Sequence, residues 1–194
     1  MIVEQLIRQN RSYRRFYQDY YIATGNLKYF INLARLSPSS KNLQPLKYYI
    51  SNEKKTNNKI FKCLKWAGYL PDWEKPKEGE RPAAYIIILA DKDIRNQISC
   101  DHGIAAQSIL LGAVEKGFGG CIIASIDRER LRQEISIPEN LDILLTLALG
   151  KPKETVMVEE VGQDGDIKYW RDENKIHHVP KRKLEDIIIN SSKT

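Results

Sequence analysis

Two polar segments are where chemistry could sit in this chain. One is Arg11, Ser12, Tyr13, Arg14 and Arg15; the other runs from Ser37 to Pro45 and carries Pro38, Ser39, Ser40, Asn42 and Gln44. Arginine neutralises phosphates, whether these belong to a nucleic acid duplex or to a single small molecule. The second segment is rich in Ser, Pro, Asn and Gln, a composition that favours a hydrogen-bonding loop over a continued helix or strand. Taken alone, the arginines also read as a solvated face and the loop as an Asx-type turn.

Other catalytic constellations are missing from the sequence. The histidines are His102, His177 and His178, and none has metal-ligand spacing with a cysteine or carboxylate. There is no Gly-x-Ser-x-Gly, and Cys63, Cys100 and Cys121 stand in apolar surroundings that disfavour a thiolate, so hydrolase chemistry has no support. The cysteines are odd in number and widely spaced, which suggests small buried hydrophobes rather than disulfides or zinc ligands. Gly117, Gly119 and Gly120 follow a helix and precede a strand, the reverse of the order a dinucleotide-binding fingerprint requires. Glycine still lets a backbone approach a flat ligand closely.

These segments must be positioned by a fold, and the composition permits one. With 194 residues, 42% hydrophobic and 29% charged, the chain can bury a core without staples, and one compact domain over residues 1–194 is expected. No apolar run approaches the length of a membrane span, so a cytoplasmic protein with no membrane partner is expected. The net charge of +6 makes some anionic partner plausible.

The apolar pattern supplies the elements. Asn26 to Leu36 predicts an amphipathic helix, capped by Asn26, with Leu27, Phe30, Ile31 and Ala34 on one stripe. Leu46 to Ser51 alternates at period two and predicts a strand with one buried face. Trp66 to Pro82 holds Trp66, Tyr69, Pro71, Trp73 and Pro76 without period, a long aromatic-bearing loop of the kind that covers pockets. Ala84 to Ala90 is continuously apolar, as a central strand should be. Asp101 is expected to cap a helix that ends at Gly117 and has so little polar surface that it is central or shared with a second subunit. Cys121 to Ala124 and Ile143 to Leu149 predict further strands, with a charged helix from Asp127 to about Ile135 between them, and Lys181 to Ile189 has a helical pattern. Strands separated by helices with long connections point to an α+β, three-layer arrangement around a mixed central β-sheet.

Arg11-Ser12-Tyr13-Arg14 with Phe16, followed by Ala34 to Pro45, resembles the two N-terminal signatures of the FMN-dependent nitroreductase family. Asp101 to Cys121, with Gly103, Ala106, Gln107, Gly112 and the turn Gly117-Phe118-Gly119-Gly120, is similar to that family's central helix and flavin-facing loop. Leu149 to Pro152 resembles its closing strand. One departure is Leu46, where many relatives have a tryptophan.

The resemblance implies an FMN-dependent oxidoreductase in which the flavin carries the chemistry. NADH or NADPH would be the electron donor, a nitroaromatic, quinone or similar small molecule the acceptor, and the kinetics ping-pong. It further implies that Arg11, Ser12, Tyr13 and Arg14 hold the phosphate and ribityl chain, and that Pro38, Ser39, Ser40, Asn42 and Gln44 face the polar edge of the ring. Gly119 and Gly120 would lie beside the ring, and Arg182 would reach the phosphate. The loop would serve a flavin held mainly by another subunit, giving a homodimer. Trp66, Tyr69 and Trp73 are candidates for the acceptor pocket, since aromatic side chains stack on flat substrates. Two rivals remain: another reaction on the same scaffold, such as dehalogenation, enoate reduction or flavin breakdown, and a basic nucleic-acid-binding module, for which the sequence holds no recognised motif.

Overall fold

A computed structural model of the chain describes residues 2–70, 73–97 and 99–189. Pro71, named above in the long loop, lies outside them. In chain order the elements are α1 (Val3–Gln9), β1 (Phe16–Tyr17), α2 (Thr24–Leu36), a 3-10 turn at Ser40–Asn42, β2 (Leu46–Ser51), α3 (Lys54–Phe61), β3 (Ala84–Asp91), α4 (Asp101–Glu115), β4 (Gly119–Ile123), α5 (Arg128–Ile135), β5 (Leu141–Pro152), β6 (Val156–Glu160), β7 (Trp170–Arg171), β8 (His177–Lys181) and α6 (Leu184–Ile187). The chain separates into a larger unit, Met1–Trp66 with Lys75–Lys153, and a smaller one, Ala67–Glu74 with Glu154–Thr194.

The larger unit is organised by its two most apolar strands. β3 pairs antiparallel with β5 on one side and with β2 on the other, and β4 and β1 both pair antiparallel with β5. The parallel element of this sheet is the isolated bridge between Ser12 and Gly120. Because successive strand residues face opposite ways, Ala84, Ile86 and Ile88 meet Leu27, Phe30 and Ala34 of α2 and Ala105, Ala106 and Ile109 of α4. Tyr85 and Ile87 turn to the other face, where α3 contacts β3 and α5 packs on α3. This is an α+β fold of three layers. Each fully buried Ile or Leu contributes about 1.5–3 kcal/mol, so the strand sequence alone drives the assembly.

Several expectations hold. β2 and β3 lie where the alternation and the apolar run place them, β3 is buried along its length, and the stretch between Trp66 and Pro82 contains no helix or strand among its described residues. Asp127 caps α5 by accepting from Arg130 N.

Others need correction. α2 begins at Thr24 after Ala23, so Asn26 lies within the first turn instead of capping it. Cys100, not Asp101, precedes α4, because the Asp101 carboxylate is engaged elsewhere. Gly119 and Gly120 are strand residues of β4, and β5 extends through Gly150 to Pro152. Cys63 and Cys121 are buried, but Cys100 is exposed. The C-terminal helix is confined to four residues.

The smaller unit is built differently. β8 pairs parallel with β6 and antiparallel with β7. Of its described residues only His177 is buried.

Candidate functional site

The arginine segment is fixed by backbone. After α1, Asn10 Nδ2 donates to Gln107 Oε1 of α4 at 3.2 Å, and Tyr13 N donates to Gly120 O at 3.0 Å. The Tyr13 ring then lies against β4: a Cβ on Gly119 would fall 2.5 Å from Tyr13 Cδ2, and one on Gly120 2.6 Å from Leu110 Cδ2. Only glycine permits this approach, which explains the pair without any ligand.

The arginines divide by partner. Arg15 forms a two-pronged pair with the buried Glu80, Nε to Oε2 and Nη2 to Oε1, both at 2.8 Å, and Lys153 stands 3.5 Å from Glu80 Oε1. Hydrogen bonding to Arg15 holds the Glu80 carboxyl down at about 2, against the opposing effect of burial. Arg15 is thus a structural residue. Arg14 Nη1 reaches Ser12 O at 3.3 Å. Arg11 Nη2 donates to Ile7 O at 2.7 Å, while its Nε is buried with no hydrogen-bond partner among the described residues. Burial lowers the Arg11 guanidinium below its ordinary value, opposed by Tyr13. A half-buried guanidinium that has no carboxylate paired with it among the described residues fits an incoming anion.

The second segment is anchored at the first residue of α4. Ser39 Oγ donates to Asp101 Oδ2, Ser40 N donates to Asp101 Oδ1 at 3.3 Å, and Gln44 N donates to Ser39 Oγ at 3.0 Å. Ser37 Oγ meets Ser108 Oγ at 2.7 Å. Lys41, Asn42 and Gln44 take left-handed φ values of 53°, 55° and 52°. Such backbone costs roughly 1–3 kcal/mol where the side chain does not tolerate it, and it persists because Asp101 over-determines the loop. Pro38 and Gln44 also line a cavity of about 160 Å³ with Leu46, Tyr48 and Asp101. Burial and then Asp101 push the Tyr48 phenol up to about 12, leaving it a neutral hydrogen-bond donor.

The structure therefore brings Arg11, Ser12, Tyr13 and Arg14 together with Gly119 and Gly120, and Pro38, Ser39, Ser40, Asn42 and Gln44 together with Asp101. The first group meets α4 at Gln107 and the second at Asp101, six residues or about 9 Å apart along the helix at 1.5 Å per residue. Trp66 belongs to the larger unit, where its ring packs 5.8 Å from Phe61. Tyr69 and Trp73 belong to the smaller unit, against Tyr169 at 5.2 Å and under the Arg171 guanidinium at 4.6 Å. Arg182 is exposed between β8 and α6. Sequence reasoning missed Glu80 and Asp101. Glu80 sits in a charged loop with nothing to mark it as buried, and the position of Asp101 before an apolar helix suggested only a cap.

Comparison with known proteins agrees with this architecture. The family model "Nitroreductase family" matches residues 7–151. A protein of Archaeoglobus fulgidus, named as a candidate NADH dehydrogenase/NAD(P)H nitroreductase, is 26% identical over 148 residues, covering 72% of this chain and 80% of its own. Among solved structures, an FMN-dependent nitroreductase of Clostridium difficile R20291 superposes with a TM-score of 0.64 at 24% identity, over 77% of this chain and 87% of that one. A nitroreductase family protein of Streptococcus pneumoniae TIGR4 gives 0.72 at 15% identity, over 98% and 100%. With the match spanning both motif segments, α4 and β5, the chain belongs to the nitroreductase family.

Proposed function

We propose that this chain is an FMN-dependent NAD(P)H oxidoreductase that reduces a nitroaromatic, quinone or similar acceptor. The observation that carries the reading is Arg11: a guanidinium with a buried, unpartnered Nε, beside Ser12 and Arg14, fits the phosphate of FMN. Bound FMN would supply the redox chemistry, taking hydride from NADH or NADPH and giving electrons to the acceptor in two half-reactions with ping-pong kinetics.

The chain's own residues would position and protect that group. Arg11 and Arg14 hold the phosphate, with Ser12 and Tyr13 fixing their backbone to β4. Gly119 and Gly120 keep β4 thin, so that Tyr13 packs flat and no side chain from either glycine intrudes. Pro38, Ser39 and Ser40, braced on Asp101, hold Asn42 and Gln44 outward, where both are exposed and able to bond a ring edge. Trp66 of the larger unit offers an aromatic surface for the acceptor.

The reading includes a homodimer with its flavins at the interface between copies. A second copy would bring its loop to the first copy's arginines, and residues 1–194 would act as one flavin-binding domain. Among the described residues no helix is long and apolar enough to cross a membrane, in keeping with action in the cytoplasm on small molecules.

The test is a visible spectrum. The purified protein should be yellow and release FMN on denaturation, and a preparation that stays colourless with added FMN overturns the proposal. Arg11→Ala and Asn42→Ala should each weaken flavin retention about tenfold, the scale of one charge-assisted or well-placed hydrogen bond. Light scattering should give twice the 22.4 kDa chain mass. Stopped-flow reoxidation with a panel of acceptors separates nitro and quinone reduction from other reactions on the same scaffold.

A further inference from the structure

On the sheet face turned away from α4 lies a second cavity, of about 170 Å³, that none of the candidate flavin residues lines. Its floor is Tyr85 of β3, 1% exposed, whose hydroxyl has no hydrogen-bond partner among the described residues. An unpaired buried hydroxyl costs about 1–3 kcal/mol, so a partner belongs there. Arg81 lines the same cavity. Its guanidinium rests on the Phe61 ring at 4.6 Å, and Nη1 pairs with the exposed Glu78 at 2.9 Å. Arg81 Nε, like the Tyr85 hydroxyl, is buried without a partner.

The lining specifies the chemistry of what would fit. Asn57 is already engaged through both its oxygen, which accepts from Ser51 Oγ at 2.7 Å, and its nitrogen, which donates to Ala83 O at 2.8 Å. The unpartnered atoms, Tyr85 Oη–H and Arg81 Nε–H, are both donors, and burial holds the Tyr85 phenol protonated by pushing it far above its usual value. Two donors in the lining of one cavity, one carried by a cation close enough to act electrostatically on the phenol, match the two oxygens of a carboxylate. Phe61, Pro82 and Ala83 add apolar wall, and a cavity of about 150 Å³ is known to hold a benzene ring.

We propose that this cavity is a binding site for a small aromatic monocarboxylate, its carboxylate on Tyr85 and Arg81 and its ring against Phe61 and Pro82. The site is independent of the flavin reading, because the residues that form it lie under β3 and α3.

The probe is 4-fluorobenzoate, followed by fluorine NMR on the full-length protein as purified, with any bound flavin retained. Saturable binding is expected in about the millimolar range that roughly ten non-hydrogen atoms can support. Tyr85→Phe should weaken it at least tenfold while folding is unchanged or improved, since the hydroxyl it removes has no partner. Arg81→Gln should weaken it as well. The ligand should raise the melting temperature of the parent and not of Tyr85→Phe. Absence of saturable binding overturns the proposal, as does equal affinity for Tyr85→Phe. A crystal soaked with 4-bromobenzoate that shows only water on Tyr85 Oη, with bromine elsewhere, overturns it too.

Discussion

In the larger unit, β3 and β5 pass through a core in which Ile86, Ile87, Leu147 and Leu149 are wholly shielded from water, and the two-pronged pair of Arg15 with the buried Glu80 belongs to the same unit. In the smaller unit, His177 is the one buried residue among those described, and the contacts are between polar and aromatic side chains. His178 stacks on Trp170 at 4.1 Å and lies 2.9 Å from Glu159 and 3.6 Å from Asp172, while Arg171 pairs with Glu154 at 2.9 Å. The difference teaches that one chain uses two modes of stabilisation with opposite pH sense. A depressed carboxyl loses its contribution in acid, and a raised imidazole loses its contribution in base.

The comparison can be broken most forcefully at Glu80. Glu80→Gln removes the buried carboxylate that Arg15 grips with two hydrogen bonds, and denaturant titration should show a loss of about 3–5 kcal/mol. In the parent, the Glu80 contribution should be complete above its ordinary value of 4.5 and disappear as pH falls to about 2. A flat stability profile through that window would remove the buried lock from the account.

A smaller effect is expected at the junction of the arginine segment with β4. Gly119→Ala places a methyl into the Tyr13 ring and Pro152 and should cost about 1–3 kcal/mol, read as a lower denaturation midpoint. If it costs nothing, Tyr13 does not pack as described and the arginines are not fixed from β4.

For the smaller unit the expectation is local. Glu159 first, and Asp172 after it, raise the His178 imidazole above its ordinary value of 6.5. Its contribution should be complete below that value and fade as pH rises through the higher folded one. Amide exchange in β6 and β8 should therefore quicken with pH beyond the intrinsic rate, and His178→Gln should abolish that excess. At the small end, Glu4→Gln removes an exposed pair with Arg8 and should change stability by no more than about 0.5 kcal/mol.

Legibility in the sequence followed the same division. The run Ala84 to Ala90, the alternation of Leu46 to Ser51 and the stripe Leu27, Phe30 and Ala34 announce their own burial, because apolar surface must leave water whatever its neighbours are. The two signature segments were visible by residue type and spacing. The roles within them were not: Arg15 is like Arg11 and Arg14 in sequence, yet only the fold gives it Glu80. The smaller unit was hard to foresee, since a sheet held by His178, Trp170 and Glu159 has no apolar period.

By itself, then, the sequence determined the layers of the larger unit and the family, since both rest on local pattern. The tertiary structure decided which arginine of the first segment keeps a nitrogen without a partner among the described residues, that Asp101 braces the loop and that Tyr85 lines a cavity. Each of these depends on a partner 60 or more residues distant or on enclosed space, and pairing across such distances is set by packing, which no local pattern encodes.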